Sequence, residues 1–299
     1  MYHTGLLLTF FAAFGYTLAT FYFKAASVRG ASGIQLALWA NLALALIAQP
    51  FWILAEVTPL AIPLWKPVLA GLCLCLGQVC SFCAITKGNV SLVTPLLGTK
   101  IVIVTAINAL FFSVPIAFAW WMAACLATLG VALVTGCGVK EKTPSEPSGK
   151  YSFLIAPVYA LAAATLYSCH DVIIQNYTVG VDLYAFLPMM FGVVGLLTFG
   201  YCLCFSRDSF RLPATYRHTL VVGACLLALE STCFFFGLAL SKAATAVNVV
   251  YSLRSLLTVV AAWLIGRHFV LAEHKLPRHI FWIRIGGAAL IFSAILLLG

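Results

Sequence analysis

The chain has 299 residues, of which 63% are hydrophobic and only 8% are charged, and its formal net charge is +9. About a quarter of the residues in an ordinary soluble domain are charged, and 17 basic with 8 acidic side chains cannot cover a soluble core of this size. This composition excludes a soluble enzyme, a secreted disulfide scaffold and a disordered chain. The Lys and Arg residues lie in short segments between apolar runs, which also excludes the basic face of a nucleic-acid-binding protein. The sequence therefore predicts an integral membrane protein.

Apolar runs of about 20 residues, the length at which a helix crosses a bilayer, recur along the whole chain. We predict ten spans, at residues 5–23, 33–55, 67–86, 90–112, 117–137, 152–175, 183–204, 217–239, 243–266 and 280–298. A polar segment rich in Pro and Gly separates the fifth span from the sixth. The predicted fold is thus all-α and membrane-embedded, with a first five-helix repeat at 1–138, a linker loop at 139–151 and a second five-helix repeat at 152–299.

The basic residues predict the orientation of the chain in the membrane. Thirteen Lys and Arg residues fall on one set of alternating connections, whereas only Lys66 and Lys242 fall on the other. Because cytoplasmic loops carry the excess of Lys and Arg, we expect a multi-pass protein of the cell (inner) membrane with both termini outside. Two tandem units of five spans insert with opposite orientations, so we predict two inverted repeats around a central cavity.

Polar side chains inside the predicted spans indicate a solute site, because such groups are costly in a bilayer and usually face a cavity or a partner. Lys100 and Arg254 lie in the corresponding fourth and ninth spans, and Asn248, Tyr251 and Arg254 share one face of the ninth. The candidate substrate-binding residues are Tyr16, Trp39, Gln78, Phe82, Lys100, Tyr167, Asn248, Tyr251 and Arg254, and the proton-coupling candidates are Asp171 and Glu230.

These residue types fit a small zwitterion or organic anion. An Arg guanidinium can hold a carboxylate or phosphate through two hydrogen bonds, the aromatic rings provide walls for a flat or apolar group, and the acids can accept an amine or carry protons. A structural interpretation stays open beside this one: Lys100 or Arg254 pairs with Asp171 or Glu230 only to hold helices together.

The sequence contains no motif that predicts catalysis. It has no GxSxG, no HExxH and no P-loop, and no paired acidic motif of the kind that holds Mg²⁺. We therefore expect no catalytic residues, no metal ion and no cofactor, and transport without ATP hydrolysis. The expected partners are a small-molecule solute and the lipid bilayer, with no nucleic acid; a monomer is compatible with this architecture, and the oligomeric state stays open.

Two junctions between spans carry a family resemblance. The segment from Phe82 to Pro95, its counterpart from Phe236 to Ala246, and the Gly-rich segments Trp121 to Val134 and Ile285 to Ile291 are similar to those of the drug/metabolite transporter superfamily, EamA-like branch. That family often ends its fourth and ninth spans with Gly-Glu, where this chain has Ser113-Val114 and Gly266-Arg267. A role tied to that glutamate is therefore not carried over.

The resemblance implies ten helices around a central cavity and alternating access. It also implies export or exchange of a small polar metabolite, such as an amino acid or a nucleotide-type compound like S-adenosylmethionine. The same fold would serve the alternative function, a flippase of a lipid or a lipid-linked sugar. A membrane-embedded enzyme is a third and weaker interpretation.

Overall fold

The computed structural model describes residues 1–57, 62–87, 96–112, 115–136, 152–265 and 278–298. Throughout these ranges the regular structure is helical, without a strand. The α-helices are α1 (Tyr2–Val28), α2 (Gly33–Ala48), α3 (Trp65–Lys87), α4 (Lys100–Phe111), α5 (Phe118–Gly136), α6 (Ser152–Tyr177), α7 (Leu183–Phe205), α8 (Arg217–Ser241), α9 (Ala244–Tyr251), α10 (Leu253–Ile265) and α11 (Arg278–Leu296). Short 3₁₀ helices follow α2 at Gln49–Leu54 and α7 at Arg207–Phe210.

Six helical segments of the described chain are long and apolar enough to cross a membrane: Tyr2–Val28, Gly33–Leu54, Phe118–Thr135, Ile155–Tyr177, Leu183–Phe205 and Arg217–Ser241. Shorter apolar helices occupy Trp65–Ser81, Leu96–Phe111 and Trp282–Leu296. The helical membrane-protein class predicted from the sequence is thereby supported. The count of ten crossings and the inverted repeat stay predictions.

The ninth predicted span consists of α9 and α10, which are joined by a tightened helical turn at Ser252. The backbone of Ser252 stays in the right-handed helical region, with φ −62° and ψ −19°, and its N–H donates to the carbonyl of Asn248 at 3.0 Å. The Ser252 hydroxyl donates to the carbonyl of Val249 at 2.6 Å, and the Ser255 hydroxyl donates to the carbonyl of Ser252 at 2.8 Å. Serine hydroxyls bond to carbonyls of the preceding turn in this way.

The fourth predicted span differs at its beginning. Residues 96–98 form a helical turn, and α4 itself begins at Lys100. Lys100 nevertheless lies within the apolar helical stretch Leu96–Phe111, because Thr99 keeps a right-handed helical backbone, and its expected place in the middle of the span stays a prediction. Residues 88–95, which the prediction included, lie outside the described part of the chain.

The helices form two compact units, and each unit takes helices from both halves of the sequence. The first contains α1, α2, α7 and α8 with the beginning of α3 and the end of α6; the second contains α4, α5, α9, α10 and α11 with the remainder of α3 and α6. The two units are defined by contacts in space. The repeats at 1–138 and 152–299 are defined by the sequence, and they stay a prediction.

In the first unit, α1 and α8 lie antiparallel in close contact. A Cβ atom on Gly5 would stand 2.9 Å from the carbonyl oxygen of Gly237, and one on Gly15 would stand 3.0 Å from Cβ of Glu230. The start of α2 is fixed by a capping box, in which Ser32 accepts from the backbone of Gln35 and Gln35 accepts from the backbone of Ser32.

In the second unit, α5 and α11 approach at two glycines. A Cβ atom on Gly130 would lie 2.7 Å from the carbonyl oxygen of Gly287, and the reverse distance is also 2.7 Å. Only hydrogen fits between backbones at this separation. The buried cluster Ile101, Ala123, Ala124, Ala127, Val249 and Ala294 joins α4, α5, α9 and α11 beside this crossing.

Candidate functional site

The second unit contains a buried ion pair. Nζ of Lys100, at the beginning of α4, lies 2.8 Å from Oδ2 of Asp171 on α6. The Asp171 side chain is fully buried, whereas 16% of the Lys100 side chain is exposed. A buried ion pair is costly to desolvate and needs further hydrogen bonds to be stable, so the neighbours of these two side chains decide how the pair is held.

Asn248 of α9 is one such neighbour. Its Nδ2 donates to the same Oδ2 of Asp171 at 2.6 Å and to the carbonyl of Ala244 at 2.9 Å. The other carboxylate oxygen, Oδ1, is buried and has no hydrogen-bond partner within the described ranges of the chain. One oxygen of Asp171 therefore accepts both contacts, and the second has no donor among the described residues.

The helix that carries Asp171 also brings Tyr167 and Ser168 to Lys100. Nζ of Lys100 lies 5.7 Å from the centre of the Tyr167 ring, within cation–π range. The Ser168 hydroxyl lies 3.1 Å from the carbonyl oxygen of Lys100 and 2.7 Å from that of Ala164. A Cβ atom on Gly77 of α3 would stand 2.8 Å from the Tyr167 ring, so α3 packs directly behind this aromatic side chain.

Tyr251 and Arg254 lie on either side of the tightened helical turn at Ser252. The guanidinium carbon of Arg254 lies 4.4 Å from the centre of the Tyr251 ring, which is the stacked geometry of a cation–π pair. Tyr251 is buried and Arg254 is half-buried. Of the two cations proposed as partners of Asp171, it is Lys100 that forms the ion pair.

The direction of α4 relative to α9 follows from two contacts. Lys100 meets Asn248 through Asp171, and the hydroxyl oxygens of Thr105 and Thr245 lie 3.1 Å apart. Residue numbers therefore rise along α4 as they fall along α9, so the two helices are antiparallel. Polar groups lie between the two helices at two positions along their length, one at Lys100 and Asn248 and the other at Thr105 and Thr245.

The remaining candidates lie elsewhere. Tyr16 and Glu230 are on α1 and α8 of the first unit, Glu230 being buried and Tyr16 half-buried. Trp39 of α2 donates through Nε1 to the carbonyl of Ser209 at 3.3 Å and packs against the cluster around Tyr216, which is a structural environment. Gln78 is half-buried on α3 in the second unit.

Phe82 is also on α3, and its side chain is outside the described part of the structure.

The list of candidate substrate-binding residues leaves out three polar side chains of the second unit. Ser168, Thr105 and Thr245 carry no charge, and serine or threonine in an apolar helix usually returns its hydrogen bond to the preceding turn, as Thr105 does to Ile101 at 2.9 Å. The available signal was their spacing: Ser168 is three residues before Asp171, and Thr245 is three before Asn248. Each therefore shares a helix face with a candidate.

A cavity of about 430 Å³ in the first unit was not predicted either. It is lined by Glu56, Val57, Asp182, Leu183, Tyr184, Phe236 and Leu240. The Asp182 carboxylate accepts from the backbone N–H of Glu56 at 2.7 Å and from that of Tyr184 at 2.9 Å. These two bonds cap α7 and fasten the segment that follows α2, which gives Asp182 a structural role.

The chain matches the family model described as "Sugar transport protein" over residues 20–299. The chain belongs to the sugar transport protein family. This is a membrane transporter family, and membership points to a transporter and not to an enzyme.

Comparison with other proteins adds the fold. No curated protein matches the sequence, whereas 27 chains of solved structures match the structure. One of them is described as "Crystal structure of protein" and matches with a TM-score of 0.73 and 14% sequence identity. The matched region covers 100% of this chain and 97% of the chain in that structure. At that identity the likeness shows a shared fold alone.

Membership of the drug/metabolite transporter superfamily stays a prediction. Part of the segment that suggests it, residues 88–95, lies outside the described chain, as do the span-end positions 113–114 and 266–267.

Proposed function

We propose that this chain is a secondary active transporter that carries a small polar organic solute, a sugar in the first instance, across the cell membrane by alternating access. The observation that carries the proposal is the Lys100–Asp171–Asn248 network, since it lies on helices of a chain that belongs to a transporter family. Buried ionisable groups of membrane proteins mark solute or ion pathways.

The chemistry of the network favours a neutral, hydroxyl-bearing solute. Lys100 and Asp171 neutralise each other at 2.8 Å, so the pair offers strong hydrogen-bond donors and acceptors but no net charge. Tyr167 places an aromatic ring beside the pair, and an aromatic face suits the apolar C–H side of a sugar ring. The description of the family as a sugar transport protein supports the same class.

A second candidate class is an amino acid or a nucleotide-type metabolite such as S-adenosylmethionine. Arg254 favours it, because a guanidinium can bind a carboxylate or phosphate in a bidentate manner, and this one lies 4.4 Å from the centre of the Tyr251 ring, which could pack against the same solute. A lipid or lipid-linked sugar flippase is the third, and it would leave water-soluble solutes unmoved.

The antiparallel α4 and α9 support an inverted-repeat mechanism, because equivalent helices of such repeats run in opposite directions. Asp171 and Glu230 are the proposed proton-coupling groups, since a carboxylate inside a transporter can alternate between charged and neutral forms. The proposed membrane is the cell (inner) membrane, with the Lys- and Arg-rich connections on the cytoplasmic side.

Counterflow in proteoliposomes tests the proposal. Vesicles that contain the purified chain and a high internal concentration of one unlabelled solute are placed in a trace of the same labelled solute without ATP. D-glucose, D-galactose, D-mannose and D-xylose form the sugar arm, and amino acids, S-adenosylmethionine and nucleotides form the others. We expect transient accumulation of at least one sugar; accumulation in another arm alone would reassign the substrate, and no accumulation in any arm would contradict transport of soluble solutes.

A further inference from the structure

Asp171 Oδ1 is a buried acceptor without a hydrogen-bond donor among the residues that the structure describes. The Asp171 side chain has no exposed surface, and within the described ranges Oδ1 has no partner, although Oδ2 of the same carboxylate has two. Nearly all buried polar groups of native proteins are paired, and leaving one without a partner carries a desolvation penalty. This oxygen therefore calls for a donor beyond the described side chains.

The surroundings restrict what that donor can be. Lys100 Nζ lies 2.8 Å from the neighbouring oxygen, so a cation at Oδ1 would stand close to a like charge. An anion at Oδ1 would be repelled by the negative charge of the carboxylate itself. What remains is a neutral group with a polarised hydrogen, and a hydroxyl has one such hydrogen together with lone pairs that can accept from an ammonium.

We propose that one hydroxyl group of the transported solute bridges this ion pair, donating its hydrogen to Asp171 Oδ1 and accepting from Lys100 Nζ. Asp171 is then the residue that determines which hydroxyl of the solute is required. The inference rests on the proposed function and deepens it, because it assigns the recognition of one particular solute group to one atom of the chain.

The exposures indicate from which side the hydroxyl arrives. Lys100 is 16% exposed, whereas Asp171 is 0% exposed. The solute therefore contacts the Lys100 ammonium first, and Asp171 Oδ1 becomes accessible when the Lys100 side chain moves aside. Asn248 donates to Oδ2 at 2.6 Å, which restrains the carboxylate during this step.

The test uses deoxy sugars and the purified full chain in detergent. Affinities for D-glucose, D-galactose, D-mannose and D-xylose are measured from the rise in the unfolding midpoint with sugar concentration, and then for the singly deoxygenated analogues of each sugar that binds. We expect one deoxy position to weaken binding to the wild type about 10- to 100-fold, the loss typical of a hydrogen bond to a charged group, and the other positions to weaken it only a few-fold.

The double variant Lys100→Met with Asp171→Leu removes the pair without leaving a lone buried charge. In this variant the parent sugar and the critical deoxy analogue should bind equally weakly. Thr165→Val, which removes an exposed hydroxyl from α6 outside the pair, should retain the wild-type discrimination. Should the apolar pair not yield folded protein, Lys100→Gln with Asp171→Asn keeps hydrogen bonding without charge, and the discrimination should fall to a few-fold.

Three results would overturn the inference. In one, no single deoxy position matters tenfold in the wild type. In another, the double variant discriminates as the wild type does. In the third, the double variant binds the parent sugar with wild-type affinity. Failure of all four sugars to stabilise the wild type would instead contradict the proposed sugar substrate, and the inference would fall with it.

Discussion

At the scale of single residues, the Lys100–Asp171 pair makes a stability prediction. Lys100→Met leaves Asp171 buried beside Asn248 without its cation, and breaking a buried pair from one side costs about 3–5 kcal/mol. We therefore expect a large fall in the unfolding midpoint in detergent. The double variant Lys100→Met with Asp171→Leu should regain most of the loss, because it buries no lone charge. Equal losses in the single and the double variant would contradict this account.

The two buried acids make a prediction about pH. If transport is coupled to protons, a group that alternates between neutral and charged forms must lie on the path. Asp171→Asn and Glu230→Gln replace each carboxyl with an amide that does not titrate. We expect at least one variant to lose the dependence of counterflow or uptake on external pH that the wild type shows. Wild-type pH profiles in both variants would exclude coupling at these residues.

Much of the site could be predicted at this scale, but its pairing could not. Lys100, Asp171 and Asn248 stand out because charged and amide side chains are rare in apolar spans. Which cation meets which acid depends on how helices from distant parts of the sequence pack. The sequence left both Lys100 and Arg254 open as partners, and the structure pairs Lys100 with Asp171 while Arg254 stacks on Tyr251.

At the scale of helices, two adjacent glycines of α11 make a matched prediction. A Cβ atom on Gly287 would lie 2.7 Å from the carbonyl oxygen of Gly130, whereas one on Gly286 would meet no atom within 4 Å. Gly287→Ala must push α5 and α11 apart, at a cost of about 1–3 kcal/mol. Gly286→Ala should be neutral or raise stability by up to about 1 kcal/mol, because Ala is the better helix former.

Thermal unfolding of the two variants in the same detergent checks this difference. A Gly286→Ala variant that loses as much stability as Gly287→Ala would contradict the packing account, because helix propensity alone should stabilise both alanine variants. The Gly-rich character of these segments was readable from the sequence. The partner of Gly287 was not, because a small residue predicts close approach without saying which backbone approaches.

Helix existence was largely predictable, and the tightening of a turn within a helical span was not. Each long apolar run predicts a helix because an unpaired backbone is excluded from a bilayer, and the six long apolar helices agree with this expectation. At the tightened turn around Ser252, two serine hydroxyl groups bond to the Val249 and Ser252 carbonyls. Serine hydroxyls make such bonds in regular helices too, so the spacing Ser252-x-x-Ser255 was no sufficient signal.

At the scale of the whole molecule, the charge bias makes a prediction about orientation. The connection at residues 178–182 lies on the side predicted to be outside, and the Arg-rich connection at 206–216 on the cytoplasmic side. A protease recognition sequence inserted at Val179–Gly180 should be cut when protease is added outside intact cells. The same sequence inserted at Arg207–Asp208 should be cut only after lysis. The reverse pattern would invert the topology.

The division of the chain in space was the least predictable feature. Composition marks 139–151 as a linker between two sets of five spans, yet the compact units combine α1 and α2 with α7 and α8, and α4 and α5 with α9 to α11. Local sequence patterns identify spans one at a time. How helices of one half pack with those of the other depends on side-chain complementarity that no single span contains.

The central claim is that the Lys100–Asp171 pair binds the solute and is more than a structural tie between α4 and α6. Sugar counterflow in proteoliposomes, compared between the wild type and the folded Lys100→Met/Asp171→Leu double variant at matched reconstitution, tests it most directly. The account predicts counterflow in the wild type and a loss of at least tenfold in the double variant, with the exposed-site control Thr165→Val close to the wild type. Undiminished counterflow in the double variant would contradict it and leave the pair a purely structural role.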